Sequence, residues 1–515
     1  MSSAAASRSV RLFRNAGWNM AGQGGLAILA FWLIPYIVKK LGPEGYALYS
    51  LLGILSGYLM LLSLGAGNAT VKYVSEHAGA GNKSALRTVL GASFWMNALG
   101  VSLGAVAALV FRRELAHFFK VEPAGLDLAV WVMTCASVGA VFFALAQYGQ
   151  TVLQGLQRYD LSNILSISQT GLFLGSVAFL LWRGHGVHAI GWTFVLIYAA
   201  SGLAALIAAL RLLPVAPAWD FWREVDRKPL REFFFFSITG FVGLLSWSVV
   251  FQWDKLFIGC MLPLSQLTYY IMPSAILQKF WIIPSTITTV AFPMLSELHG
   301  ARDVAGVRRF YSRCSQLVLW LVVPGFVMLM VLAPQFLTLW LGGEFSRYGT
   351  WPLRLLSMGY FCYFMGVMPG VAVGGLGRIQ YGVKANVALA LLCLSLWTIL
   401  IPRFGIVGAA WGFFLPYLVV NISFVLSVNR DFFRMSGREY LRDVCMRPFL
   451  AGAVLLVVAL LVHSWFGSWT SFLLGGGLCA AVYLGVGFLL IDRDNYESLK
   501  EVLATFRNRD DRGKV

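Results

Sequence analysis

Charge is scarce in this sequence. Only 12% of its 515 residues are charged and 58% are hydrophobic, whereas ordinary soluble domains carry about 25% charge. That scarcity excludes a water-soluble globular chain. Acids are scarcer than bases, at 23 Asp and Glu against 40 Lys and Arg. The first six apolar runs hold no interior acid, so that half offers no buried carboxylate for a cation. The seven cysteines are scattered, mostly inside apolar runs. There they serve as small hydrophobes rather than as a disulfide framework. A Gly-rich phosphate loop ending in Lys-Ser/Thr is also missing. His185 and His188 have ligand-like spacing but lack a third ligand nearby, which argues against a metal site. The N-terminal Arg8, Arg11 and Arg14 precede an apolar run broken by Gly22, Gln23, Gly24 and Gly25, with no convincing cleavage site. A retained first helix is expected there rather than a signal peptide.

What the chain has in abundance is apolar runs of about 20 residues, the length that spans a bilayer as helix. Fourteen are expected, near 17–38, 46–66, 88–111, 126–147, 161–182, 188–212, 233–258, 266–295, 309–333, 351–373, 383–401, 406–428, 449–466 and 470–491. The fold class is therefore an all-α polytopic membrane protein. The stretch Arg211 to Glu232 is the longest polar interruption, and the chain repeats itself across it. Tyr270, Ser296, Glu297, Gly300 and Arg308 lie 221 positions after Tyr49, Ser75, Glu76, Gly79 and Arg87. Gly375, Leu376 and Arg378 follow Gly155, Leu156 and Arg158 by 220, and Gly405, Trp411 and Tyr417 follow Gly186, Trp192 and Tyr198 by 219. So steady an offset marks two homologous lobes.

The expected organisation is a six-helix lobe at 8–212, a cytoplasmic linker at 213–232 and a second six-helix lobe at 233–428. An accessory helix pair at 429–491 and a cytoplasmic tail at 492–515 follow. An even number of spans per lobe makes the repeat parallel. Placing the N-terminus inside puts 29 of the 40 Lys and Arg on the inner side and 9 outside, as membrane insertion favours. Both termini are then cytoplasmic. The net charge of +17 is mostly this topological signal and requires no nucleic acid.

The two remaining bases, Lys255 and Lys279, and one acid, Asp254, fall within spans. A charge at a helix centre is costly and faces a protein interior or aqueous cavity. Asp254 and Lys255 lie near the outer end of the seventh span, where a paired or snorkelling couple is the plain alternative to a binding role. Lys279 lies deeper, ~20 Å into the eighth span at 1.5 Å per residue. Pro263, Pro273, Pro284 and Pro293 punctuate that span, so it should be kinked or broken. Trp247, Trp253 and Trp281 stand near these charges, in a chain where aromatic residues are 15% and most pack or anchor at interfaces.

LGPEGYALYSLL, LQGLQRYD, FQWDKLFIG, FPMLSEL, LWLGGEFS, GGLGR and FGIVGAAWG occur in order across residues 8–428. In these motifs the chain resembles the Wzx-type polysaccharide and O-antigen flippases. They belong to the superfamily of multidrug, oligosaccharidyl-lipid and polysaccharide exporters. The resemblance implies two lobes alternately open to each side of a bacterial inner membrane, moving a polyprenyl-diphosphate-linked oligosaccharide, with no cofactor. It implies that Lys279 and Lys255 neutralise the diphosphate, while Asp254 occupies the position of the family's acid. Polysaccharide polymerase machinery is the implied protein partner. Lipid II flippases usually place arginines in the first helix, and NMAGQGGLAILAFW has none. Multidrug exporters of the superfamily need acids within a lobe, which the first six spans lack. A membrane glycosyltransferase or polymerase is the reading from another class. Its only support is Asp492-Arg493-Asp494, a metal-binding pattern with no soluble fold around it. The outer loop near 112–125 is too short for a catalytic domain, so no enzyme is expected.

Overall fold

The structure, a computed structural model, describes residues 3–215 and 226–490, with side chains from Gly24 onward. Most of the linker, the C-terminal tail with Asp492-Arg493-Asp494, and the side chains of the N-terminal arginines lie outside the described residues. Among those described there is no strand. The first helices are α1 (Ser3–Met60), α2 (Ala66–Gly79), α3 (Lys83–Val110), α4 (Arg112–Phe118), α5 (Leu126–Gly155) and α6 (Tyr159–Trp182). Then come α7 (Val187–Leu212), α8 (Arg227–Met261), α9 (Leu264–Lys279), α10 (Ile282–Gly300) and α11 (Val304–Leu341). The last described helices are α12 (Gly343–Gly375), α13 (Gln380–Pro416), α14 (Ile422–Phe433), α15 (Gly437–Tyr440), α16 (Met446–Val462) and α17 (Trp469–Leu490).

Twelve stretches among the described residues are long and apolar enough to cross a membrane. Two are double. Gly24–Ser63 has 40 residues and Gln380–Phe433 has 54, each enough for two passes of about 20 residues. Each is interrupted by a glycine in a backbone conformation open to few other residues, Gly42 (φ 70, ψ 173) and Gly405 (φ 59, ψ −141). Counted as pairs, they bring the passes to the fourteen expected. This is a multi-pass membrane protein, and apolar side chains such as Phe235, Leu474 and Leu489 point outward, 75%, 77% and 82% exposed.

The sequence repeat reappears as repeated backbone geometry. At the end of α2, Ala80, Gly81 and Asn82 donate their backbone N–H groups to the carbonyls of Glu76, Ala78 and His77. At the end of α10, Ala301, Arg302 and Asp303 donate to Glu297, His299 and Leu298, every position 221 later. Asn82 then caps α3 by accepting from the Ala85 N–H (3.1 Å), and Asp303 caps α11 by accepting from that of Gly306 (2.8 Å). The α5 terminus does the same at an offset of 220. Leu156, Gln157 and Arg158 donate to Val152, Gln154 and Leu153, as Leu376, Gly377 and Arg378 donate to Ala372, Gly374 and Val373 at the end of α12.

The helices gather into two compact units, Met1–Met272 with Ala390–Ala409, and Pro273–Leu389 with Ala410–Val515. In the first, α5 and α7 meet through small residues, as membrane helices do where backbones approach closely. A Cβ on Gly149 would stand 2.5 Å from the Ala205 carbonyl carbon, and one on Gly202 2.8 Å from the Phe142 oxygen. Tyr73, Leu86, Leu90, Tyr148 and Phe233 form a buried core at one end of this unit. Its phenol is satisfied where Tyr148 Oη donates to the Leu90 carbonyl (3.2 Å). In the second unit α11 is the spine. Tyr311 stacks on Phe433 with centroids 4.0 Å apart, and Tyr483 Oη donates to the Trp320 carbonyl (3.1 Å), seating α17 on α11. Gly452 brings α16 against Val323 of the same helix.

Candidate binding cleft

The second membrane pass of each half is broken in its middle. In the first half, α1 gives way at Leu61–Ser63 to a short 3-10 turn, and Leu64 (φ 51) and Gly65 (φ 76) are left-handed before α2 begins. The sequence suggested a span ending near 66, yet helix resumes at Ala66 and runs to Gly79. Close approaches fix this break. A Cβ on Gly100 would lie 2.1 Å from the Leu62 carbonyl oxygen, and one on Gly65 2.6 Å from that of Ser237. In the second half the break falls at Phe280 and Trp281, between α9 and α10. It lies between Pro273 and Pro284 as expected, and Pro284 sits in the first turn of α10, where a missing N–H is tolerated.

A cleft of about 500 Å³ opens beside the first break, wholly within the first unit, a volume usual for small-molecule sites. Four elements each contribute one face. Gly53, Ile54, Gly57 and Tyr58 come from α1, Asn68 from α2, Gln147, Thr151 and Gln154 from α5, and Phe241, Leu244, Trp247, Ser248 and Gln252 from α8. The α5 and α8 residues recur at three- and four-residue steps, the spacing that brings side chains to one helix face. None of the lining residues is charged. Tyr58 Oη donates to the Gln252 carbonyl (2.7 Å), tying α1 to α8 across the cleft, and Gln154 Nε2 donates to Ser162 Oγ (3.0 Å). Trp247 is 53% exposed, with its ring 5.5 Å from that of Phe251. Amides, hydroxyls and an open indole face suit an uncharged, hydroxyl-rich ligand such as a sugar.

The charged residues singled out from sequence stand apart from this lining. Asp254 and Lys255 are brought together and buried, 3% and 5% exposed. Lys255 Nζ donates to Asp254 Oδ1 (3.2 Å) and to the Phe251 carbonyl (2.8 Å), and the Lys255 N–H donates to the same carboxylate oxygen (2.8 Å). Each charge is thus compensated locally, as burial requires. One turn further on, Phe257 meets the buried Trp397 at 5.8 Å. Lys279 belongs to the second unit, is exposed, and ends α9 immediately before the break. Among the described residues no carboxylate pairs with it. Trp281 stacks on Tyr363 in that unit, centroids 5.7 Å apart. Trp253 is absent from the cleft lining, and its indole nitrogen is buried without a hydrogen-bond partner. Asn68, Gln147, Gln154 and Gln252 carry no charge that would single them out in the sequence. Their signal was polar amides at helical spacing inside apolar runs.

Comparison with known proteins agrees with this architecture. A Shigella flexneri protein named as an O-antigen transporter is 21% identical over 409 residues, covering 78% of this chain and 93% of the relative. A protein of Haloferax volcanii named as a low-salt glycan biosynthesis flippase is 22% identical, covering 78% and 80%. Among solved structures, a lipid II flippase in an inward closed conformation superposes with a TM-score of 0.65 at 14% identity, over 90% of this chain and 98% of that one. Residues 12–299, more than half of the chain, match the polysaccharide biosynthesis protein family, and the chain belongs to that family.

Proposed function

We propose that this protein moves a polyprenyl-diphosphate-linked oligosaccharide across the cytoplasmic membrane for the assembly of a cell-surface polysaccharide. The observation that carries this is the uncharged, amide- and aromatic-lined cleft of the first unit. Sugars crossing hydrocarbon unaided would leave many polar groups unsatisfied, at a prohibitive cost. A wet cleft between membrane helices removes that cost, while the polyprenyl tail stays in lipid. The lack of any carboxylate in the lining disfavours an organic-cation exporter. The repeated lobes, 8–212 and 233–428, open alternately to the two sides, with the linker 213–232 and both termini in the cytoplasm of an inner-membrane protein.

Lys279 is the residue assigned to the diphosphate, because its side chain is exposed next to a helix break and has no carboxylate partner among the described residues. Asp254 and Lys255 are assigned to holding α8, since each already neutralises the other. Supply and use of the substrate by polymerase machinery follow from this role. The reading implies transport without bond making or breaking.

Purified protein in proteoliposomes tests it directly. The parent should move fluorescent lipid-linked oligosaccharide between leaflets and form no glycosidic product from labelled sugar nucleotide. Lys279→Ala and Trp247→Ala should each lower the rate at least tenfold with normal insertion. Lys279→Arg should keep part of it, since the charge survives with altered geometry. A parent that moves no lipid-linked sugar refutes the function, and a Lys279→Ala rate equal to the parent's refutes the assignment of that residue.

A further inference from the structure

The repeat supplies a comparison within the molecule, and it exposes a second cavity. In the second unit, the connections after α10, after α12 and at the end of α14 enclose about 420 Å³ lined by His299, Arg302, Asp303, Arg378 and Asp431, among others. Two of its arginines stand at positions whose counterparts in the first half are electrically silent. Arg302 corresponds to Gly81, and both are left-handed, at φ 57 and φ 68. Glycine takes that conformation freely, whereas another residue there costs about 1 kcal/mol or more. Arg378 corresponds to Arg158, whose guanidinium is clamped by Asp160 through two hydrogen bonds of 3.0 and 2.9 Å. The counterpart of Asp160 is Gln380, which cannot neutralise Arg378. A third counterpart pair, Ala78 and His299, adds an imidazole to the same cavity.

The carboxylates in the lining do not make up the difference. Asp303 is used as the cap of α11, accepting from the Gly306 N–H at 2.8 Å, and Asp431 is paired with Arg430 at 2.8 Å. Among the described residues neither Arg302 nor Arg378 has a carboxylate partner. The carbonyls at the α10 and α12 termini that would otherwise attract the arginines are partly taken up by the reverse turns that end these helices.

We propose that this cavity binds a phosphate-bearing anion through Arg302 and Arg378. The planar guanidinium fork matches phosphate oxygens with paired donors. Two sources supply that chemistry, the headgroup of an anionic membrane lipid and the diphosphate of a lipid-linked or soluble molecule. The cavity belongs to the second unit and the sugar cleft to the first, and this inference does not depend on the transport function.

The test uses the full chain in nanodiscs of phosphatidylcholine alone, titrated calorimetrically with inorganic pyrophosphate. A parallel arm uses nanodiscs containing phosphatidylglycerol, with retained lipid counted by native mass spectrometry. Three variants are compared: Arg302→Gly, Arg378→Gln and Gln380→Asp. The first restores the residue of the sister turn and keeps the backbone conformation. The last removes no cation but recreates the clamp seen at Arg158 and Asp160, an effect that a merely structural arginine would not produce. Affinity for pyrophosphate, or retention of phosphatidylglycerol, should fall tenfold or more in every variant with a thermal midpoint no lower than the parent's. Displacement of pyrophosphate by phosphatidylglycerol in the parent identifies the membrane lipid as occupant, and its absence identifies a diphosphate. The proposal is overturned if the parent binds neither probe, or if the variants bind as the parent does.

Discussion

The buried pair on α8 allows a structural role to be separated from a substrate contact. Asp254→Asn removes the charge that compensates Lys255 while keeping the side chain's shape. With Nζ and Oδ1 3.2 Å apart, the lost attraction is about 5 kcal/mol before desolvation at an effective dielectric constant near 20. Breaking one side of a buried pair costs about 3–5 kcal/mol in soluble proteins. The lower end applies here, because an unfolded chain still in the membrane finds other polar partners and the Phe251 carbonyl remains bound to Nζ at 2.8 Å. Asp254→Asn should therefore unfold several degrees below the parent in detergent, followed by fluorescence of a C-terminal reporter. Asp254→Asn with Lys255→Met removes both charges at similar volume, and it should recover to within about 1 kcal/mol of the parent. The double variant should also export polysaccharide normally, because neither residue lines the cleft. An Asp254→Asn midpoint equal to the parent's would refute the structural role. A stable double variant that fails to export would make one of the pair a substrate contact.

Two further outcomes follow from the fold. Gly65→Ala forces a left-handed alanine (φ 76) whose Cβ meets the Ser237 carbonyl oxygen at 2.6 Å, a cost of about 2–4 kcal/mol from conformation and overpacking together. Gly53→Ala, with open space at its Cβ, should be neutral or slightly stabilising in the same thermal assay because alanine favours helix, and equal midpoints for the two would contradict the close approach at the break. Reporter fusions after Asp226 and at the C-terminus should read cytoplasmic and one after Ser265 external, and an external linker would overturn both the proposed orientation and the parallel repeat.

The membrane passes and the repeat were legible in sequence for a simple reason. A pass needs only length and apolarity, and a duplicated turn keeps its capping residues, as Asn82 and Asp303 do. The break after Lys279 was legible too, because prolines announce it. The break near Leu61 was not, since no proline marks LLSLGAGN. Its cause is non-local, residing in Gly100 and Ser237, far along the chain. The cleft was hidden for a related reason. Scarce charges draw the eye in an apolar sequence, whereas four amides spread over α2, α5 and α8 become a site only when three helices bring them together.

The repeat also relates the two halves chemically. Between Tyr49/Tyr270 and Ser75/Ser296 the offset is constant at 221, so Lys279 is the counterpart of Tyr58. Each stands just before the break in the second pass of its half. Tyr58 lines a cleft without charge and has its hydroxyl committed to the Gln252 carbonyl. Lys279 stands at the same step without a carboxylate partner among the described residues. The same helix break thus has a neutral, hydrogen-bonding residue in one half and a basic one in the other. The roles proposed above match these two chemistries, because hydroxyls are held by amides and aromatic faces while a diphosphate is held by fixed positive charge. On the proposed function, an uncharged glycan carrier would have no use for Lys279, and a carrier of simple anions would have no use for the amide-lined cleft.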